Sequence, residues 1–112
     1  MKVLRPGLLT TVQDAGRAGV AHLGIARGGA GDTIAMRLGN LLTGNDEGAV
    51  AIEMTLVGGT FEFEENVVIA ITGADFQLAL DGTAIPTWTS MQISAGQTLT
   101  IGPARTGARC YL

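Results

Sequence analysis

Beyond residue 45 the chain stops reading with the period of a helix and reads with a period of two, and that change severely limits the folds open to it. Val50, Ile52, Met54 and Leu56 alternate with Ala51, Glu53 and Thr55; Phe61 and Phe63 alternate with Glu62 and Glu64; Phe76, Leu78 and Leu80 repeat the pattern. Alternation sends successive side chains to opposite faces of a strand. Gly58-Gly59, Gly73-Ala74-Asp75, Asp81-Gly82, Ser94-Ala95-Gly96 and Gly102-Pro103 stand between the runs and predict turns. Asp81-Gly82 is a strong hairpin signal, because both residues tolerate positive φ. Residues 67–72 form an unbroken apolar run, expected to be a strand buried on both faces. Further strands are expected at 2–5, 8–12, 84–85, 91–93 and 97–101, and Arg109-Cys110-Tyr111-Leu112 reads as the start of another. The expected fold is mainly β, a short-stranded barrel-like or curled sandwich domain with one α-helix.

That helix is predicted over about residues 32–43. Asp32 can cap its first turn, accepting from amides that have no partner inside the helix. Ile34, Leu38, Leu41 and Leu42 follow at helical spacing, and Gly44 stands where a left-handed cap belongs. Gly39 costs about 1 kcal/mol relative to Ala inside a helix, so a close crossing is expected there. A long glycine-rich loop, residues 13–31, leads in; loops of that length in compact domains are functional or disordered.

Composition removes several function classes. The net charge is −3 and the seven Lys and Arg residues are scattered, whereas a phosphate-backbone binder needs them clustered, so no nucleic-acid partner is expected. No apolar run reaches the length of a membrane span, and Met1-Lys2 leads into a strand rather than a signal peptide. Cys110 is the lone cysteine, so no internal disulfide forms; it is expected to act as a small buried hydrophobe, and no Cys/His spacing suggests a metal site. A cytoplasmic protein without a membrane partner is the expectation.

The candidate site residues lie around the loop and helix. Gln13, Asp14 and Arg17 bring an amide, a carboxylate and a guanidinium to the end of a strand. Arg17 could grip a carboxylate through two parallel N–H bonds with Asp14 orienting it, or the two could simply close the loop; both readings stay open. Gly28 and Gly29 begin the run Gly28-Gly29-Ala30-Gly31-Asp32, whose amides could cradle an anion at the helix start, although Asp32 is also explained as a cap alone. Asn40 is expected to bond across to the long loop. Glu53 is a solvated residue if its strand face is open and a rigid catalytic carboxylate if that face lines a cleft. Asp75, just past a buried run, has the same two readings. His22, the single histidine, lacks an identifiable partner, and no Ser-His-Asp arrangement can be assembled.

The ordered series GLLTTVQDAGR, GGAGD, NLLTGN, AIEMTLVGG, IAITGAD, AGQTLTIG and RCYL resembles the allophanate hydrolase subunit 2 family, which also includes the biotin-dependent carboxyltransferases and the C-subunits of 5-oxoprolinases. The family usually has Ser-Gly-Ala-Met-Asp where this chain has Gly28-Gly29-Ala30-Gly31-Asp32, so Gly31 replaces a packing side chain. The resemblance implies a cyclophilin-like barrel, with residues 1–112 a single domain forming the N-terminal part of a longer protein. It also implies a subunit or domain of a urea-carboxylating carboxyltransferase or an ATP-dependent 5-oxoprolinase, acting on a small amide or lactam. The site would be shared with a subunit 1-like partner, and the chain alone would be inactive. ATP or carboxybiotin would be reactants of the full complex, with no cofactor assigned to this chain. Two alternatives stand beside this: a non-catalytic binding protein that antagonises a kinase inhibitor, and an inactive truncated fragment. An unpaired sheet edge also leads to the expectation of a homodimer.

Overall fold

The computed structural model describes residues 1–16, 21–24 and 28–112. Among these, nine strands and one α-helix follow in the order β1 (Lys2–Arg5), β2 (Leu9–Gln13), α1 (Thr33–Leu42), β3 (Ala51–Thr55), β4 (Thr60–Glu62), β5 (Val67–Ile69), β6 (Thr72–Leu80), β7 (Thr83–Ala84), β8 (Met91–Ile93) and β9 (Thr98–Tyr111). A 3-10 turn, Ala21–Leu23, lies between β2 and α1. The chain is mainly β with one helix, as its periodicities predict.

β9 organises the fold. Along one edge its first residues pair with β4 and its last residues with β3; along the other it runs against β6. β2 adds to β3 and β1 to β4, all antiparallel, so one seven-stranded sheet curls around a shared core. β5 and β8 form a separate ribbon whose Ile69 and Ile93 pack into that core. Met54, Phe61, Phe63, Ile71, Phe76, Leu99, Ile101 and Cys110 fill the interior. The Asp81-Gly82 hairpin forms as expected, with φ of 48° and 81°.

Two expected turns are not turns. Gly102-Pro103 lies within the fourteen-residue β9, and Gly73-Ala74-Asp75 lies within β6. The pairing of these two strands changes register between Gly73 and Asp75, and again on to Leu78. Glycine and proline here bend a continuing strand by bulges instead of reversing it. The run at 67–72 correspondingly splits, with β5 ending at Ile69 and β6 beginning at Thr72.

The helix ends follow the sequence closely. The Asp32 carboxylate accepts from the amide of Ala35 at 3.1 Å. At the other end Gly44, with φ of 78°, and Asn45 donate to the carbonyls of Leu41 and Asn40, a Schellman cap. The large apolar residues at helical spacing are not the buried side: Ile34, Leu38, Leu41 and Leu42 are exposed, and Ala35, Met36 and Asn40 are buried. Thr72 decides this orientation, because its hydroxyl donates to the Ala35 carbonyl at 2.6 Å and a Cβ at Gly39 would lie 2.9 Å from the same oxygen. Only a side with small residues can come that close to β6.

Candidate functional site

Strand β3 carries the organising residue. Strand register sets Thr11, Glu53 and Tyr111 side by side on β2, β3 and β9. Residues directly opposite in a ladder share a face, and Arg109, two positions before Tyr111, shares it too. That face looks toward α1 and its lead-in loop, where Ala30, Ala35, Met36, Ala51 and Tyr111 form a second apolar cluster. Glu53, which the sequence leaves either solvated or lining a cleft, is 8% exposed. The solvated reading is therefore corrected: the Glu53 side of β3 is covered by the lead-in loop and by β9 side chains.

A buried carboxylate must be satisfied. The Oε2 of Glu53 accepts from the Gly31 amide at 2.8 Å and from the Tyr111 hydroxyl at 2.7 Å, while its Oε1 lies 3.7 Å from Nε of Arg109. Tyr111 Oη in turn accepts from the Asp32 amide at 2.7 Å. Burial, with the Glu53 hydrogen bond second, pushes the Tyr111 phenol above its ordinary range, so its proton stays in place to be donated. Two sheet side chains thus hold two consecutive amides of the loop.

The other end of the loop is pinned by backbone. The Ala30 amide donates to the Asp14 carbonyl at 2.9 Å, and the Asp14 carboxylate accepts from the Gly16 amide at 2.8 Å. Gly29 has φ of 82°, and a Cβ there would lie 2.5 Å from the nitrogen of Gly16. Only glycine lets these two loop segments touch. Gly28 is also in the left-handed region, with φ of 66°. The amides that the sequence offers as an anion cradle therefore point inward at residues 30, 31 and 32, onto Asp14, Glu53 and Tyr111.

The remaining candidates separate. Gln13 donates to the Thr11 hydroxyl at 3.1 Å. Among the described residues, the Asn40 amide holds the segment after the helix, through the carbonyls of Ala49 at 2.8 Å and Glu47 at 3.3 Å. Asp75 lies in mid-strand, exposed, 3.6 Å from Arg105, and away from the Glu53 cluster. His22 is exposed. Arg17 lies outside the described residues. Among the described residues, no group of His, Cys, Asp and Glu could hold a metal ion. Nor is any helix among them long and apolar enough to cross a membrane.

Sequence reasoning misses Tyr111 and Arg109. Their i, i+2 spacing puts them on one face, but nothing local says which strand β9 meets at its end. Beside this cluster lies an open cleft of about 490 Å³, bounded by Met36, Asn40, Val50, Val68 and Leu112, with Tyr111 forming part of its wall.

Residues 23–112 match the model of the carboxyltransferase domain, subdomain A and B. The chain belongs to this family. Over its whole length it is 45% identical to the C-subunit of 5-oxoprolinase from Escherichia coli, of which it covers 36%. It is 39% identical to urea amidolyase of Saccharomyces cerevisiae, covering 6% of that much longer protein. The crystal structure of the K. lactis urea amidolyase superposes with a TM-score of 0.92 at 33% identity, over 98% of this chain and 7% of that one. The chain spans about a third of the length of its 5-oxoprolinase relatives.

Proposed function

We propose that this carboxyltransferase-family chain contributes the loop at residues 28–32, held by Glu53 and Tyr111, to a site shared with a subunit 1-like partner, where a small amide or lactam reacts. The observation that carries this reading is the 45% identity to the 5-oxoprolinase C-subunit, over a match that spans the loop and both anchors. A second 5-oxoprolinase C-subunit and urea amidolyase both match at 39%, so ATP-dependent lactam opening is the first reading and urea carboxylation the second.

In this reading Glu53 is a positioning residue. Both of its oxygens are engaged within the protein, so it sets where the loop lies and does not act as a free base. A shift of about 1 Å in a positioned group can cost about a hundredfold in rate. Asp14, Gly28, Gly29 and Asp32 shape the same loop, and ATP enters as a reactant of the assembled complex.

The test replaces the matched segment of the Escherichia coli 5-oxoprolinase C-subunit by residues 1–112 and supplies that enzyme's companion subunits. ATP-dependent 5-oxoproline hydrolysis is expected from the assembly and not from the 112-residue chain alone. Tyr111→Phe should lower kcat by about tenfold to a hundredfold with little change in KM, because the loop is displaced while substrate contacts remain. Full activity in a folded Tyr111→Phe assembly, or turnover by the isolated chain, removes the proposal.

A further inference from the structure

Helix α1 is apolar on two opposite sides, and only one of them is used. Ala35, Met36, Gly39 and Asn40 face β6 and β9, whereas Ile34, Leu38 and Leu41 line the far side with exposures of 67, 42 and 55%, flanked by Leu42 at 39%. The spacing i, i+4, i+7 makes this a continuous stripe. The helix's single charge, Arg37, is drawn away to Glu47 at 3.2 Å. A helix that is apolar on both sides belongs inside a structure.

We infer that this stripe is an internal interface, covered by the further stretch of chain by which the longer carboxyltransferase-family relatives extend beyond this match. In the 5-oxoprolinase and urea amidolyase relatives, the segment equivalent to this chain is embedded in a chain about three to seventeen times longer. Area separates this occupant from a second copy or a separate protein. A large aromatic side chain buries about 150–250 Å², so four smaller, half-covered aliphatic ones offer no more than about half of the roughly 800 Å² per partner of a stable two-protein interface. A further stretch of the same chain needs no such area, since its tether supplies an effective concentration of about a millimolar. The stripe is also preformed, because the Thr72–Ala35 and Asn40–Ala49 bonds fix the helix from its other side. The inference rests on family membership and the exposed stripe, independently of the proposed activity.

Thiol labelling of Leu38→Cys tests it, with buried Cys110 as a silent background. The rate is compared between the 112-residue chain and the chimera with the downstream part of the Escherichia coli 5-oxoprolinase C-subunit, each normalised to its unfolded state. Labelling is expected to be at least about tenfold slower in the chimera, with Leu38→Cys unprotected in the 112-residue chain even where light scattering shows it paired through a sheet edge. Equal rates in the two proteins overturn the inference, as does a chain that is dimeric and protected by itself. If the chimera does not fold, the separately purified downstream segment is added at about millimolar concentration, and protection must appear there or the inference fails. No activity is measured, so this outcome and that of the functional test stay distinct.

Discussion

Gly31 and Arg109 illustrate how little a side chain needs to change for its neighbour to move. A Cβ on Gly31 would lie 2.8 Å from both Cδ and Nε of Arg109, so this arginine rests over the loop because nothing projects from residue 31. Arg109 is nearly half exposed, and it meets Glu53 only through Nε, at 3.7 Å. Gly31→Met restores the residue usual in the family and should swing Arg109 outward. Losing a partly exposed ion pair costs about 0–1 kcal/mol, while replacing glycine at a compatible backbone position stabilises by about 0.4–1 kcal/mol. The expected result is a stability within about 1 kcal/mol of the parent in urea unfolding, with Arg109 displaced from Glu53 in a crystal structure. A loss above about 2 kcal/mol would mean that the Glu53–Arg109 contact is essential to the loop, which an exposed pair of this length should not be.

Among the elements, α1 is held at its ends by local chemistry and on its flank by tertiary contacts, and the two can be told apart. Asp32→Ala removes the cap on the Ala35 amide and should cost about 0.5–2 kcal/mol. The Asp32 main-chain amide still donates to Tyr111, so the loop should keep its place. Thermal unfolding gives the first quantity, and protection of the Gly31 and Asp32 amides from hydrogen exchange gives the second. If the cap variant loses that protection, the loop depends on the helix start instead of on Glu53 and Tyr111. The β elements show the complementary case. Local alternation marks most strands correctly, but Gly73 and Gly102-Pro103 read as breaks because turn residues and bulge residues are chemically the same. Which one they become is decided by whether a partner strand continues past them, and β6 and β9 each supply that partner to the other.

For the molecule as a whole, the core's response to alkali reports how tightly β9 is buried. Cys110 is enclosed, and burial pushes its thiol from 9.0 up to about 12. The unfolded chain therefore releases this proton first. The thiol's contribution to stability is intact below about pH 9 and is lost as pH rises toward 12, at up to about 1.4 kcal/mol per pH unit. Cys110→Ala should lower stability at pH 7 by leaving a small void, yet flatten the decline above pH 9. Tyr111, whose phenol is also raised, adds the same slope to parent and variant, so the difference between them isolates the thiol. An unchanged alkaline slope in that variant, measured by urea titration at each pH, would show that Cys110 ionises freely in the folded chain.

Local content needed only the order of residues: the mainly β character, the single capped helix, the hairpin at Asp81-Gly82 and, through an ordered run of motifs, the family. Each depends on neighbours a few residues apart, where backbone sterics and hydrogen-bond reach settle the outcome. Folding in three dimensions was needed to choose which face of α1 is buried, to enclose Glu53, and to bring Tyr111 to complete its hydrogen bonds. Those depend on residues 37 to 79 positions apart, such as Thr72 with Ala35 and Tyr111 with Asp32, brought together only when β6 and β9 pair. Period and composition carry no record of such encounters, because the free energy of the contact belongs to neither segment until the sheet has formed.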